Sequence, residues 1–283
     1  MQSLLITVVS TFEPNLPDDI VILPICVTAE SVIFTESVTN GVSINISRED
    51  LPGIYLGFIQ TWDNPFWKSS NKNFNMPPLN VFPLHRTEKY GSSSSTLFLK
   101  TLTSFSPIWP KQPDDNEVAW PVPNPSDYNN LPTPDAMITA VSNKKGALGY
   151  ISSSITFLNG SSETTVACVE NQMGEFIQPG PVAFEKIVEN VILTPENLRD
   201  VSLIDLNCSG CYPISSFEYV LYKKEILSKN CSEAIAFSSF LTFLFSSKAN
   251  QLKLEQGFGN LNDSANQMLA DLINEQSKTC LCN

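Results

Sequence analysis

Short apolar runs rich in Val and Ile alternate with helical periodicity along this chain, and that alternation predicts an α/β fold with mostly parallel sheets. Composition agrees. Hydrophobic residues make up 42% of the 283 and charged ones only 16%, enough for a large core and too apolar for global disorder. The length suits two ordinary lobes or one large domain. The longest apolar stretch, around Ile235–Phe245, is interrupted by polar residues and reaches about half the roughly 20 residues that a membrane-spanning helix needs, so no membrane span is expected.

The opening MQSLLITVVSTFEP has an apolar run but neither a basic residue before it nor a small-residue cleavage site, which makes a poor secretory leader. Asp19–Thr28 and Ser31–Thr35 read as two buried strands. Ser47 then opens an amphipathic helix with Leu51, Ile54, Tyr55 and Phe58 on one face and Gly57 near its end. Trp62-Asp63-Asn64-Pro65 is a turn, a polar loop runs to Pro78, and Leu79–Leu84 is a strand. His85–Ser95 is a serine-rich loop feeding the apolar-periodic segment Thr96–Phe105. Eight prolines between Pro107 and Pro134 mark a long irregular connection. A helix over Asp135–Ser142 ends at Lys144-Lys145-Gly146, and Ala147–Ile151 returns as a strand. A polar, hairpin-like stretch with Asn159-Gly160 follows, then a helix near Ala183–Val191 and a strand region at Tyr212–Tyr222. Asn230 and Glu233 have capping-box spacing ahead of a helix bearing Ile235, Phe237, Leu241, Leu244 and Phe245. A last helix lies near Ser264–Asn274.

The net charge of −12, from 17 basic and 29 acidic residues, disfavours nucleic acid, because no Lys/Arg cluster offers a track for a phosphate backbone. One small anion is another matter. Distant carboxylates are screened within a Debye length of about 8 Å, so local donors decide.

Seven cysteines occur: Cys26, Cys168, Cys208, Cys211, Cys231, Cys280 and Cys282. His85 is the only histidine and is remote from both close cysteine pairs, which argues against zinc. Disulfides in an oxidising compartment are expected, with Cys208, Cys211 and Cys231 in the oxidised set. The odd count leaves a free thiol or a partner outside this sequence. Sequons at Asn45, Asn159, Asn207, Asn230 and Asn262 fit secretion without arguing for it.

The chemically informative segment is His85-Arg86-Thr87-Glu88-Lys89-Tyr90-Gly91-Ser92-Ser93-Ser94-Ser95-Thr96. A strand leads in and a helix leads out. A helix N-terminus presents free backbone N–H groups and a partial positive charge, which suit an anion. The serine hydroxyls add pH-independent donors. Arg86 offers a planar fork matching two oxygens of a phosphate or carboxylate, and Glu88 could orient it. The same serines would also serve as plain caps in a surface linker. Nucleophile-elbow, P-loop and dinucleotide motifs are absent, and no cofactor or metal is implied. His85 reads as a strand-end packing residue, and Trp62, Trp67, Trp109 and Trp120 read as core or lobe-surface aromatics.

Five blocks resemble, in order, the phosphate-binding proteins of phosphate ABC transporters. They are Asp50–Pro65, His85–Leu102, Trp109 with Val118–Pro121, Met137–Tyr150 and Tyr212–Lys223. The resemblance runs from about Ile22 almost to the last residue. It implies a two-lobed, type II periplasmic-binding-protein-like fold with the first lobe incomplete. Residues 1–32 and 212–283 would be what this chain holds of lobe one, and residues 33–211 lobe two with the anion loop. The chain would cross between lobes near Leu23–Phe34 and near Tyr212–Tyr222.

By motif position Arg86 is the guanidinium that meets the anion in an open cleft, with Ser92, Ser93 and Ser94 as hydroxyl and backbone donors. Glu88 and Gly91 support the loop. Three departures stand out: Lys89-Tyr90 lengthen the loop, Ser93 replaces a glycine, and the first part of the family's chain is absent from this sequence. In the family that segment supplies further ligands, including the carboxylate that accepts the phosphate proton. The implied function is non-catalytic binding of inorganic phosphate or a similar oxyanion by a secreted or surface-exposed glycoprotein domain. The alternative is a recognition or adhesion module that keeps the fold and has lost the ligand, for an unknown protein partner.

Overall fold

The computed structural model describes residues 6–9, 16–72, 74–87, 92–110, 120–159, 164–226 and 231–277. Its elements run β1 (Ile6–Val9), β2 (Ile20–Thr35), β3 (Asn45–Ile46), α1 (Asp50–Tyr55), α2 (Pro65–Ser70), β4 (Phe82–Pro83) and α3 (Ser93–Phe105). After a proline-rich connection come α4 (Pro134–Asn143), β5 (Ala147–Ser152), α5 (Ser153–Asn159), β6 (Thr164–Val166), β7 (Cys168–Glu170), β8 (Phe176–Ile177) and α6 (Pro181–Asn190). The remainder is β9 (Ser215–Lys223), α7 (Cys231–Leu244), α8 (Ser247–Glu255) and α9 (Asp263–Ser277).

One six-stranded sheet, in the order β1-β9-β2-β5-β4 with β6 also on β2, forms the backbone of the molecule. A small sheet, β3-β7-β8, stands apart from it. The strand β2 is a single unbroken run of sixteen residues, where sequence periodicity suggests two strands. Glu30 does not interrupt it, because the ladder simply changes partner there. Ile20 to Ala29 pair with β9, and Glu30 to Phe34 pair with β5, Glu30 lying opposite Ser152.

The expectation of mostly parallel sheets is overturned. β2 is antiparallel to β9, β5 and β6, and only the β4–β5 and β3–β7 pairings are parallel among the described residues. Parallel pairing needs a crossover between partners, and periodicity along the chain does not reveal direction.

Other local expectations shift as well. Ser47 Oγ accepts from Asp50 N at 3.0 Å, and Leu51, Ile54 and Tyr55 are buried as expected, but Phe58 is 65% exposed beyond the helix end. The segment read as hairpin-like begins as the helix α5. Asn64 caps α2 by accepting from Phe66 N, a helix hidden in what reads as a polar loop. The capping-box residues Asn230 and Glu233 lie outside the described residues or have side chains that do.

Packing is dense around the aromatics. Trp62 and Trp67 are fully buried and stacked at 4.9 Å. Gly146 sits at φ +79°, and a Cβ there would lie 2.1 Å from Asn80 O, so the turn after α4 admits only glycine. Arg48 grips Asp205 with both guanidinium nitrogens, Nη2 to Oδ2 being 2.7 Å, while its guanidinium lies 4.4 Å from the Phe105 ring centroid. Cys208 and Cys211 form a disulfide. Cys26 and Cys168 are free thiols, and burial pushes Cys26 up to about 12. Cys280, Cys282 and the Cys231 side chain lie outside the described residues.

Candidate anion site

The site is assembled from four pieces: β2, the segment after β4, the first turn of α3, and β5. Leu84 continues the β4 pairing by donating from its amide to Leu148 O at 2.7 Å. The next residues are then held from both sides. His85 N donates to Asn124 Oδ1 at 2.9 Å, and Asn124 Nδ2 donates back to His85 O at 2.8 Å. The His85 ring stacks on Trp120 at 4.7 Å, and burial lowers its pKa to about 4, so it stays neutral and serves packing, as its position suggests.

Arg86 N donates to the Tyr150 hydroxyl at 3.2 Å. Its guanidinium donates from Nε to Leu131 O at 3.2 Å and from Nη2 to Pro132 O at 2.7 Å. Thr87 completes the clip, donating from its amide to Leu131 O and accepting Leu131 N on its hydroxyl. Arg86 is only 8% exposed. The expectation of an arginine in an open cleft is therefore corrected: the guanidinium lies against the loop at 131–132, anchored by two carbonyls.

α3 begins next door, three residues earlier than apolar periodicity suggests. Ser92, in extended backbone, accepts Ser95 N at 3.0 Å as the N-cap. Ser92, Ser93 and Ser94 are half-buried, and no acidic residue occupies the first turn, so the helix supplies no carboxylate of its own to offset its positive end. Ser95 is buried and shares a 2.8 Å hydrogen bond with the Tyr150 hydroxyl. Tyr150 is thus the joint between the Arg86 segment and α3. Its ring stacks on Phe98 at 4.2 Å, and burial raises its pKa. Glu88 and Gly91 lie outside the described residues.

Sequence reasoning missed Glu30. It projects from the middle of β2, is 2% exposed, and its Oε2 is buried with no hydrogen-bond partner. Burial lifts its carboxyl to about 8, while the Ser94 hydroxyl and the Arg86 charge pull it down and Glu218 pushes it further up. Arg86 in turn is lowered by burial and held up by Tyr150 and Glu30. A signal existed: Glu30 is the one charged residue in the sixteen of β2. Among the described residues no cluster could hold a metal, and no helix is long and apolar enough to cross a membrane.

No family model matches the chain. Sequence comparison finds the phosphate-binding protein PstS of Xylella fastidiosa, 25% identical over 208 residues, covering 71% of this chain and 53% of that protein. The chain thus spans about half the length of the curated relatives it matches. A high affinity periplasmic phosphate-binding protein, PfluDING, solved with phosphate, superposes with a TM-score of 0.67 at 15% identity, over 89% of this chain and 71% of its own. The phosphate-binding protein of Stenotrophomonas maltophilia gives 0.62 at 18% identity, over 92% and 72%. In sequence, then, the chain is similar to phosphate-binding proteins named PstS, and in fold it has the type II periplasmic-binding-protein architecture of the solved structures it resembles.

Proposed function

We propose that the chain is a non-catalytic oxyanion-binding domain, with inorganic phosphate as its ligand, exported or exposed at a surface. The observation that carries this reading is the N-terminus of α3, whose first turn holds no acidic residue, with Ser92, Ser93 and Ser94 half-buried on it and Arg86 alongside. Ser92 to Ser94 and the α3 amides would hold anion oxygens, and the Arg86 fork would supply the charge. Relatives named for phosphate binding support the same ligand. In this reading residues 1–32 with 212–283 form one lobe and residues 33–211 the other, with β2 passing from one to the other.

The match covers 53% of the Xylella relative, and the family resemblance assigns further ligands to a leading segment, so weak binding by these 283 residues is expected. Calorimetric titration with inorganic phosphate tests it. Saturable binding should weaken more than about tenfold in Arg86→Ala, and also weaken in Arg86→Lys, because a point charge does not replace the fork. Binding indifferent to both moves the site elsewhere.

A second reading is a recognition module that retains the fold without the ligand. The engagement of Nε and Nη2 of Arg86 by backbone carbonyls favours it, since those donors then serve the loop. Absence of any oxyanion binding would put this reading first.

A further inference from the structure

One side-chain oxygen of Glu30, Oε2, is buried with no hydrogen-bond partner. Glu30 is a carboxyl set in the centre of a buried strand, bonded to Ser94 on the first turn of α3 and close enough to Arg86 to feel its charge. Ser94, on that turn, is its hydroxyl partner and is half-buried where Glu30 is 2% exposed, so the hydroxyl is the more accessible of the two. A carboxyl there can act in two ways. Ionised, it would occupy the donors an anion needs. Neutral, it carries one O–H, and a buried O–H requires an acceptor.

We propose that Glu30 is a ligand of the anion site that meets the oxyanion as a carboxylic acid, donating a hydrogen bond to an anion oxygen. The inference rests on the oxyanion-binding reading above and adds a selectivity to it. A donor in this position accepts an oxygen that bears no proton, so sulfate is as acceptable to it as phosphate. Ionised Glu30 would repel either anion.

The surroundings are consistent with the neutral form. Arg86 from the loop after β4 is the one cation among the groups that influence Glu30. Glu218 from β9 opposes ionisation, and so does burial. Tyr150 from β5 and Tyr212 ahead of β9 are themselves neutral, with pKa values raised by burial, and Tyr212 donates to the Glu30 backbone carbonyl at 2.9 Å. Ser152 faces it across β5, and α5 brings no titratable residue. Below about 8 the site is therefore loaded with its proton. Above that value each bound anion must draw one proton from solvent, and affinity falls by about tenfold per pH unit.

The test is titration of inorganic sulfate, whose charge is constant over the range, and of inorganic phosphate, at about pH 6.5 and about pH 9.5, on either side of the Glu30 value of about 8. Wild-type protein should bind both at the lower pH and lose more than about tenfold at the higher. Glu30→Gln, which donates at any pH, should bind sulfate with little pH dependence. Calorimetry of the wild type at the higher pH, in buffers of different ionisation heat, should show proton uptake on binding. Affinity that is flat in the wild type, or a fall that persists in Glu30→Gln, overturns the assignment of Glu30 and leaves oxyanion binding intact. No binding by either protein at either pH removes the oxyanion reading itself, and Glu30 with it.

Discussion

The hydroxyls of Ser95 and Tyr150 lie 2.8 Å apart in the buried interior, tying the first turn of α3 to the centre of β5. Tyr150 also receives the amide of Arg86 at 3.2 Å. One oxygen therefore sets the distance between the guanidinium segment and the helix that presents the serines. Tyr150→Phe removes it while keeping the ring stack on Phe98. The Arg86 amide loses its acceptor and the buried Ser95 hydroxyl loses a partner, and stability should fall by about 1–3 kcal/mol in urea denaturation. An unchanged midpoint would show that water or a neighbour takes the place of the hydroxyl.

Arg86→Ala should lower the melting temperature of the ligand-free protein. The substitution strips a donor from Leu131 O and from Pro132 O, although Thr87 N still serves Leu131 O. A loss of about 1–3 kcal/mol is expected, or several degrees in a thermal scan. A cleft-lining arginine with no such contacts would leave the scan where it was.

Glu30 links stability to pH in a definite direction. Its folded value of about 8 lies above the ordinary 4.5, so the native state holds this proton after the unfolded chain has released it. Stability is greatest below the ordinary value and declines as pH rises towards the folded value, by up to about 1.4 kcal/mol per pH unit from this group. Denaturation midpoints measured across that window should slope downward in wild type, less so in Glu30→Gln. Parallel slopes would place the titrating group elsewhere.

Gly146→Ala should destabilise by more than about 1 kcal/mol, since the new Cβ must displace the Asn80 backbone and hold a left-handed φ. Equilibrium unfolding decides it, and a neutral result would mean that the Lys144–Gly146 turn adjusts freely.

Much of this site was legible because its parts are local. Arg86 and the serines sit in one short segment that runs from β4 into the first turn of α3, and their residue types suggest an anion-binding chemistry. What escaped was assembled from a distance. Glu30 comes from β2 and meets Ser94 only because β2 runs on past Ala29 instead of ending there. Tyr150 falls within a stretch that reads as a strand, yet its hydroxyl acquires a function only when α3 packs above it. Arg86 was identified correctly as a residue of the loop but misjudged in exposure, since the carbonyls that engage it belong to an irregular segment 45 residues away with no periodicity to read. The antiparallel sheet was missed for the same reason: pairing direction is decided by where distant segments return.

The partner change along β2 has a consequence for biosynthesis. Its second half finds β5 and β6 once residue 166 has been made, whereas Ile20 to Ala29 must wait for β9 at residues 215–223. At about 5–20 residues per second, roughly 10–40 s separate the completion of β2 from that of its partner. Through that interval an apolar strand end stands with its N–H and C=O groups unpaired, the kind of edge that recruits chaperones or other nascent chains. Nascent chains stalled before residue 215 should accordingly be protease-sensitive and aggregation-prone over 20–29 in a way that longer ones are not.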